Sequence, residues 1–229
     1  MIKGEDAARA YVAQRCSPEA LDKMERFGQA LLAESKNQNL IARSTVETLW
    51  QRHFADSAQL LDCVPRETPG PWLDLGTGAG LPGVVTAIMR PELPHFLVES
   101  RKRRVEWLES IIDSLGLNNC RVLGARLQAI DSFDASVISA RAFAPLGELL
   151  RLSARFSTAD TTWVLPKGRS AAQERDELDS PLRSMFHVKQ STRNPDFDWF
   201  FERVCLVGTF DMAHHQSYIP PHDGFRKNL

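Results

Sequence analysis

Residues 72–85 read WLDLGTGAGLPGVV, and two ligand fingerprints overlap inside them. Gly78, Gly80 and Gly83 spell G-x-G-x-x-G, the turn that seats a nicotinamide dinucleotide. Asp74, Gly76, Gly78 and Gly80 spell D-x-G-x-G-x-G, the turn expected for S-adenosylmethionine. In either case a short apolar strand enters a glycine-rich turn and leaves as a helix. The glycines let a ligand approach the backbone, and the helix N-terminus behind them offers free N–H groups and partial positive charge. Pro82 suits the first helical turn, where its missing N–H costs nothing. No Gly-Lys-Ser/Thr follows, so a Walker A phosphate loop is excluded. On glycines alone the two ligands stay undecided.

Asp74 tilts the choice. It lies within the strand, where a dinucleotide fingerprint prefers an apolar residue, and its carboxylate is placed to accept hydrogen bonds near the amino end of S-adenosylmethionine. The next strand, HFLVES, ends on Glu99, the position expected to hold ribose hydroxyls in both cofactor classes. Acids and glycines at the carboxyl ends of adjacent strands are the usual arrangement for a nucleoside ligand.

Outward from the turn, strands and helices alternate. CRVLGA, ASVISA and TTWVLP read as three further strands after HFLVES. Val105, Leu108, Ile111, Ile112 and Leu115 form a helical stripe stopped by Gly116, and Leu146, Leu149, Leu150 and Ser153 form another. Such alternation predicts a Rossmann-like α/β fold, with a mostly parallel sheet covered by helices on both faces. HVKQST and FFERVCLVGTF are β-rich and are expected to form an antiparallel hairpin at the sheet edge. The tail, 214–229, has no clear element.

Residues 1–64 read as a helical segment packed on this core, and PRETPGP (65–71) marks the boundary of an α/β domain over 65–229. Ser17-Pro18-Glu19 is a helix start, followed by Leu21, Met24, Phe27, Leu31 and Leu32 at helical spacing. Val46, Leu49, Trp50, His53, Phe54, Ser57, Leu60 and Leu61 fall on one further helical stripe. His53 on that stripe reads as a buried, hydrogen-bonded histidine rather than a general base.

The bulk numbers exclude several classes. At 229 residues, 43% hydrophobic and 25% charged, the chain has the composition of an ordinary globular protein. No apolar run approaches the roughly 20 residues of a membrane span. MIKGEDAARA has no apolar signal core, and the four cysteines lie far apart, which points to the cytoplasm. No metal site is expected, and His214, His215 and His222 lack partners at ligand spacing. With a net charge of -1 the protein is no bulk polycation, so any nucleic-acid site must be a local patch. Arg101-Lys102-Arg103-Arg104, beside the strand carrying Glu99, is the best candidate, extended by Lys167 and Arg169 and more weakly by Arg43.

Together NLIA at Asn39, RHFADS at Arg52, DLGTGAGLPG at Asp74, VES at Val98, VISARAFAP at Val137 and LPKG at Leu165 make a specific set. In their order and spacing the chain resembles the bacterial 16S ribosomal RNA guanine-N7 methyltransferases of the G type, the glucose-inhibited division protein B family. That resemblance implies a class I methyltransferase fold, S-adenosylmethionine as cofactor, and one guanine in the decoding region of the small ribosomal subunit as target. It implies that Gly76 and Leu81 contact the cofactor at the turn, Glu99 its ribose, and Leu127 and Gln128 its adenine. Gln128 stands where many relatives carry an acid. Arg141 matches the family's site-lining arginine, and Arg103 a family lysine.

The resemblance also fits the chemistry. Guanine N7 has a free lone pair at neutral pH, so transfer needs alignment rather than proton removal. The Asn/Asp-Pro-Pro-aromatic motif of amino-group methyltransferases is absent after the fourth strand, where this chain has Ser139-Ala-Arg141-Ala-Phe143. NPDF at Asn194 reads as a turn. Arg141 is expected to contact the cofactor carboxylate or guanine O6, and Phe143 to stack on a base or pack in the core. The expected acting unit is a monomer. Two other readings compete: an NAD-dependent oxidoreductase, which lacks an evident catalytic set, and a non-catalytic RNA-binding module.

Overall fold

The computed structural model describes residues 4–167, 171–189 and 204–209. At its centre is β1 (Trp72–Leu75), buried at all four positions. β2 (His95–Val98) and β4 (Val137–Ala140) flank it, both parallel to it. β3 (Cys120–Leu123) adds to β2, and β5 (Thr162–Lys167) adds to β4, again in parallel. β6 (Phe186–Lys189) and β7 (Val204–Thr209) run antiparallel at the far edge. The seven-stranded order is β3-β2-β1-β4-β5-β7-β6. Winding reverses between β1 and β4, so a crevice opens beyond the carboxyl ends of these strands. The expected parallel sheet and its antiparallel edge pair are both present.

Helices cover both faces. α1 (Glu5–Ala13), α2 (Pro18–Glu34), α4 (Gly83–Met89) and α5 (Lys102–Leu115) lie on one side, and α6 (Leu146–Ser153) and α8 (Ser180–Met185) on the other. Ser17 caps α2 as the sequence implies, its Oγ accepting from the Ala20 amide at 3.1 Å, with Pro18 in the first turn. Gly116 ends α5 in the left-handed region. α7 (Ala171–Asp176) and α8 were not anticipated. They are short and carry no long apolar stripe.

One apolar cluster joins Met24, Phe27 and Leu31 of α2 to Leu108, Ile111 and Ile112 of α5 and to Leu97 of β2. Phe27 stacks on Phe54 at 5.5 Å and faces Trp107 at 6.5 Å. The helical segment and the sheet therefore share one core. Each such large side chain stabilises by about 1.5–3 kcal/mol on burial. On the opposite face Leu73, Leu75, Ile138 and Trp163 pack under Leu146, Leu149 and Leu150 of α6. Side chains alternate along β1 with period two, so Trp72 and Asp74 point away from Leu73 and Leu75.

The stripe from Val46 to Leu61 is a correction. It is not one helix but a 3₁₀ turn (Arg43–Thr48), a π-helical turn (Trp50–Ala55), the short α3 (Asp56–Ala58) and another 3₁₀ turn (Gln59–Cys63). Changes of pitch rotate the apolar positions out of line. Leu49, Phe54, Ser57 and Leu60 are buried, while Val46 is exposed at 38%. π-turns of this kind often mark functional positions.

Candidate active site at the carboxyl ends of β1, β2 and β4

The turn after β1 is held from below. Asp74 is fully buried, and its Oδ2 accepts the Gly83 amide at 3.0 Å. Its Oδ1 accepts the Ser139 hydroxyl at 2.7 Å, and Ser139 Oγ in turn accepts the Trp72 indole N–H at 2.8 Å. Burial pushes the Asp74 carboxyl up to about 6, while the Ser139 and Gly83 donors and the nearby Arg141 charge restrain the rise. From the sequence this carboxylate is expected against the cofactor; it lines neither cavity described below. It binds the start of α4 to β1 and β4 instead.

Two glycines show what the turn demands. Gly76 has φ +63°, and a Cβ there would lie 2.6 Å from Phe143 Cδ2. Gly83 is needed for approach: a Cβ would stand 2.2 Å from Leu97 and 2.7 Å from Asp74 Oδ2. Gly83, the third glycine of the embedded G-x-G-x-x-G, thus serves helix–strand packing, which needs no dinucleotide. Gly78 and Gly80 shape the turn and line neither of the two cavities described below, and Leu81 is buried in the core behind it.

A cleft of about 250 Å³ opens above the turn. Gly76, Val98, Glu99, Leu127, Gln128 and Phe143 are among its walls, together with Arg101 and Arg104. Glu99 Oε1 accepts the Ser100 and Arg101 amides at 2.8 and 2.9 Å, and Oε2 lies 3.7 Å from Arg104 Nη1. Its carboxylate is therefore oriented before any ligand arrives. Gly76, Glu99, Leu127 and Gln128 come together here as the sequence implied. Arg104 and Arg126 also line this cleft, and only the basic-run signal hinted at the first.

The second cavity, about 680 Å³, adjoins it across Ala142 and Phe143, which line both. Thr45, His53, Arg141, Lys167 and Glu174 supply its polar wall. Ala142 is the one non-glycine residue with positive φ among the described residues, at 55°. An outlier of this kind costs about 1–3 kcal/mol and gathers at functional sites. His53 is buried, as expected, yet it also faces this cavity: its ring lies between Thr45 Oγ1 at 2.8 Å and Arg141 Nη1 at 3.3 Å. Thr45 and Glu174 went unnoticed in the sequence, because ordinary loop and helix residues carry no motif.

The basic run divides. Arg103 reaches the Asn37 carbonyl at 3.5 Å and Arg104 the Asn39 carbonyl at 3.3 Å, tying α5 to the loop after α2. Arg101 and Lys102 remain exposed, Lys102 within 3.9 Å of Glu106. Arg43 is exposed on its 3₁₀ turn. Lys167 is largely covered, its ammonium donating to Glu174 at 2.8 Å and to the Ala144 carbonyl at 3.3 Å. Arg169, Asn194 and the tail histidines lie outside the described residues. Among the described residues no group of three or more His, Cys, Asp or Glu could hold a metal, and no helix is long and apolar enough to cross a membrane.

The carboxylate-lined cleft fits a nucleoside cofactor, and the chain is similar to known proteins. A solved S-adenosylmethionine-dependent methyltransferase from Aquifex aeolicus is similar in fold, with TM-score 0.50 and 15% identity, covering 76% of this chain and 96% of that one. An MtNAS mutant in complex with S-adenosylmethionine gives TM-score 0.55 at 13% identity, covering 90% and 77%. Among curated proteins, the ribosomal RNA small subunit methyltransferase G of Erythrobacter litoralis is 55% identical over 91% of this chain and 97% of its own. Its counterpart from Sphingopyxis alaskensis is 50% identical over 93% and 89%. The family model described as rRNA small subunit methyltransferase G matches residues 20–194, which include the turn, Glu99, His53 and Arg141. The chain belongs to the rRNA small subunit methyltransferase G family.

Proposed function

We propose that this protein transfers a methyl group from S-adenosylmethionine to N7 of one guanine in the decoding region of 16S ribosomal RNA. One observation supports this most: two cavities meet at the carboxyl ends of β1, β2 and β4 across Ala142 and Phe143. One presents the Glu99 carboxylate and the other the Arg141 guanidinium. When bound, S-adenosylmethionine supplies an electrophilic sulfonium methyl.

The residues of the chain have distinct tasks in this reading. Glu99 accepts the ribose hydroxyls, Val98, Leu127 and Gln128 enclose the adenine, and Gly76 leaves room at the turn. Leu81, Gly78 and Gly80 act by shaping that turn, and Asp74 by anchoring it. Arg141 orients the guanine by donating to O6, leaving the N7 lone pair open to the methyl. No base is required, which accords with a His53 whose two nitrogens are both engaged. Arg101, Lys102, Arg43 and Arg169 contact RNA phosphates; Arg103 ties α5 to the loop after α2, and Lys167 holds the wall of the larger cavity.

In this reading the acting unit is a monomer in the cytoplasm. The core shared by 1–64 and 65–229 supports a single cooperative unit. Two measurements test the reading. Calorimetry should detect S-adenosylhomocysteine and not NAD; binding of NAD alone overturns the cofactor. Small-subunit RNA from cells lacking the gene should lose one N7-methylguanine, restored by the wild-type gene and not by an Arg141→Ala copy. Unchanged methylation removes the enzymatic claim.

A further inference from the structure

We infer that His53 is a positioning residue for Arg141, locked in one tautomer by Thr45, and that this lock sets the guanidinium in the larger cavity, beside the Ala142–Phe143 wall that the two cavities share. The inference rests on the methyl-transfer reading above only for its kinetic readout.

Donor bookkeeping fixes every proton in the relay. The Thr45 hydroxyl has one hydrogen, and it goes to the Ala42 carbonyl at 2.8 Å. Thr45 Oγ1 must then accept from His53 Nε2, 2.8 Å away, so Nε2 carries the ring hydrogen. That leaves a lone pair on Nδ1, the only arrangement able to take the Arg141 N–H at 3.3 Å, since a guanidinium donates and never accepts. The relay runs in one direction, from Arg141 through His53 and Thr45 to the Ala42 carbonyl. Protonation at Nδ1 would set its N–H against the Arg141 donor and release Arg141.

The local fold is built for this contact. His53 sits in the π-turn Trp50–Ala55, whose extra residue per turn changes where its ring points. The Trp50 and Gln51 amides are capped by the Glu5 carboxylate of α1 at 2.8 and 2.9 Å. Phe54, next to His53, is fully buried against Phe27. The turn is thus fastened at both sides of the ring. Arg141 just after β4, Lys167 from β5 and Glu174 from α7 are the charged groups facing the same cavity; Arg52 lies in the turn and Glu5 and Asp56 beside it. Displacing a positioning group by about 1 Å can cost as much as a hundredfold in rate.

The test uses the full chain as wild type, His53→Asn, His53→Phe and Thr45→Val. Asparagine places an acceptor oxygen near the Nδ1 position and cannot be protonated; phenylalanine keeps the ring and removes the acceptor. With small subunits from cells lacking the gene, H53F should lose roughly tenfold or more in kcat, with S-adenosylhomocysteine affinity unchanged. H53N should stay within about threefold of wild type, and its rate should fall less than the wild-type rate towards acid pH.

H53F equal to wild type, or H53N as impaired as H53F, overturns the inference. T45V answers if H53F does not fold: it keeps the volume at Thr45, and kcat should drop severalfold, an unchanged value overturning the inference. Independently of activity, ¹⁵N resonances of His53 at pH 7.5 should show the Nε2–H tautomer; an Nδ1–H ring or an imidazolium there refutes the lock. A wild type that methylates no RNA sinks the reaction assignment alone, and the tautomer measurement still decides the role of His53.

Discussion

The Asp74 carboxylate accepts the amide of Gly83, nine positions further on, at 3.0 Å, and both groups are wholly buried. This single bond closes the glycine turn from beneath, and Ser139 on β4 holds the other carboxylate oxygen. Three strand and helix ends are thereby fixed before any ligand enters. Asp74→Ala leaves the Gly83 amide and the Ser139 hydroxyl without their acceptor, each at about 1–3 kcal/mol. The expected loss is about 3 kcal/mol in urea unfolding, together with weaker S-adenosylhomocysteine binding. A loss below about 0.5 kcal/mol would refute this role.

Gly76→Ala is expected to be worse for the site than for the fold. The new methyl meets Phe143 Cδ2 at 2.6 Å in a backbone with φ +63°. Relief comes from moving Phe143, the side chain that lines both cavities. Strain of about 1–2 kcal/mol should appear in unfolding, with a much larger fall in kcat. Equal activity to wild type would show that the Phe143 wall tolerates displacement.

Glu99→Ala removes the carboxylate from the cleft and frees the Ser100 and Arg101 amides. Cofactor affinity is expected to drop by about tenfold to a hundredfold, matching one or two charge-assisted hydrogen bonds. The melting temperature should change little, because these amides can turn to water. Unaltered S-adenosylhomocysteine affinity would remove Glu99 from the cofactor site.

The basic run should separate into two behaviours. Lys102→Ala is expected to weaken RNA binding evenly across sequences and to lower the slope of log K against log salt by about 1 for each phosphate no longer neutralised. Arg104→Ala should leave that slope alone and weaken the cofactor, because Arg104 faces Glu99 at 3.7 Å. Identical salt dependence in both variants would show that the run acts as one patch.

Two buried groups oppose each other in acid. His95, stacked on Trp72 at 5.5 Å, is pushed down to about 4 by burial. Its contribution is complete above 6.5 and is lost as pH falls towards 4, because only the unfolded chain takes up the proton. Asp74 works the other way, its folded value of about 6 lying above the ordinary 3.8. Its contribution is complete below 3.8 and is lost as pH rises through 6. Each amounts to about 3 kcal/mol, so their effects largely cancel between pH 4 and 6. His95→Phe removes one side of this balance. Relative to wild type, its unfolding free energy should rise by about 2–3 kcal/mol from pH 7 to pH 4.5; parallel curves would refute the assignment.

Periodicity and punctuation carried most of the fold into the sequence. Alternation of apolar runs and helical stripes specified the parallel sheet, Ser17-Pro18 the start of α2, and Gly116 the end of α5. These signals are local, so they survive without knowledge of tertiary packing. Glu99 was legible for the same reason, since it follows β2 directly; Leu127 and Gln128, on a 3₁₀ turn after β3, were implied only by the family resemblance, and all three meet in one cleft. The segment 43–63 reads as one helix and is not one, because changes of helical pitch leave no mark in an apolar spacing.

By itself the sequence determined a doubly wound methyltransferase-type sheet, a glycine turn for a nucleoside cofactor and an acid at the end of β2. Only the tertiary structure decided what each polar group does there. Asp74, expected at the cofactor, braces the turn, because β1 alternates and turns its carboxylate towards Gly83 and Ser139. His53 and Arg141, 88 positions apart, meet in the wall of one cavity. Direction along a strand or a π-turn is a property of three-dimensional packing. Residue type and spacing cannot express it.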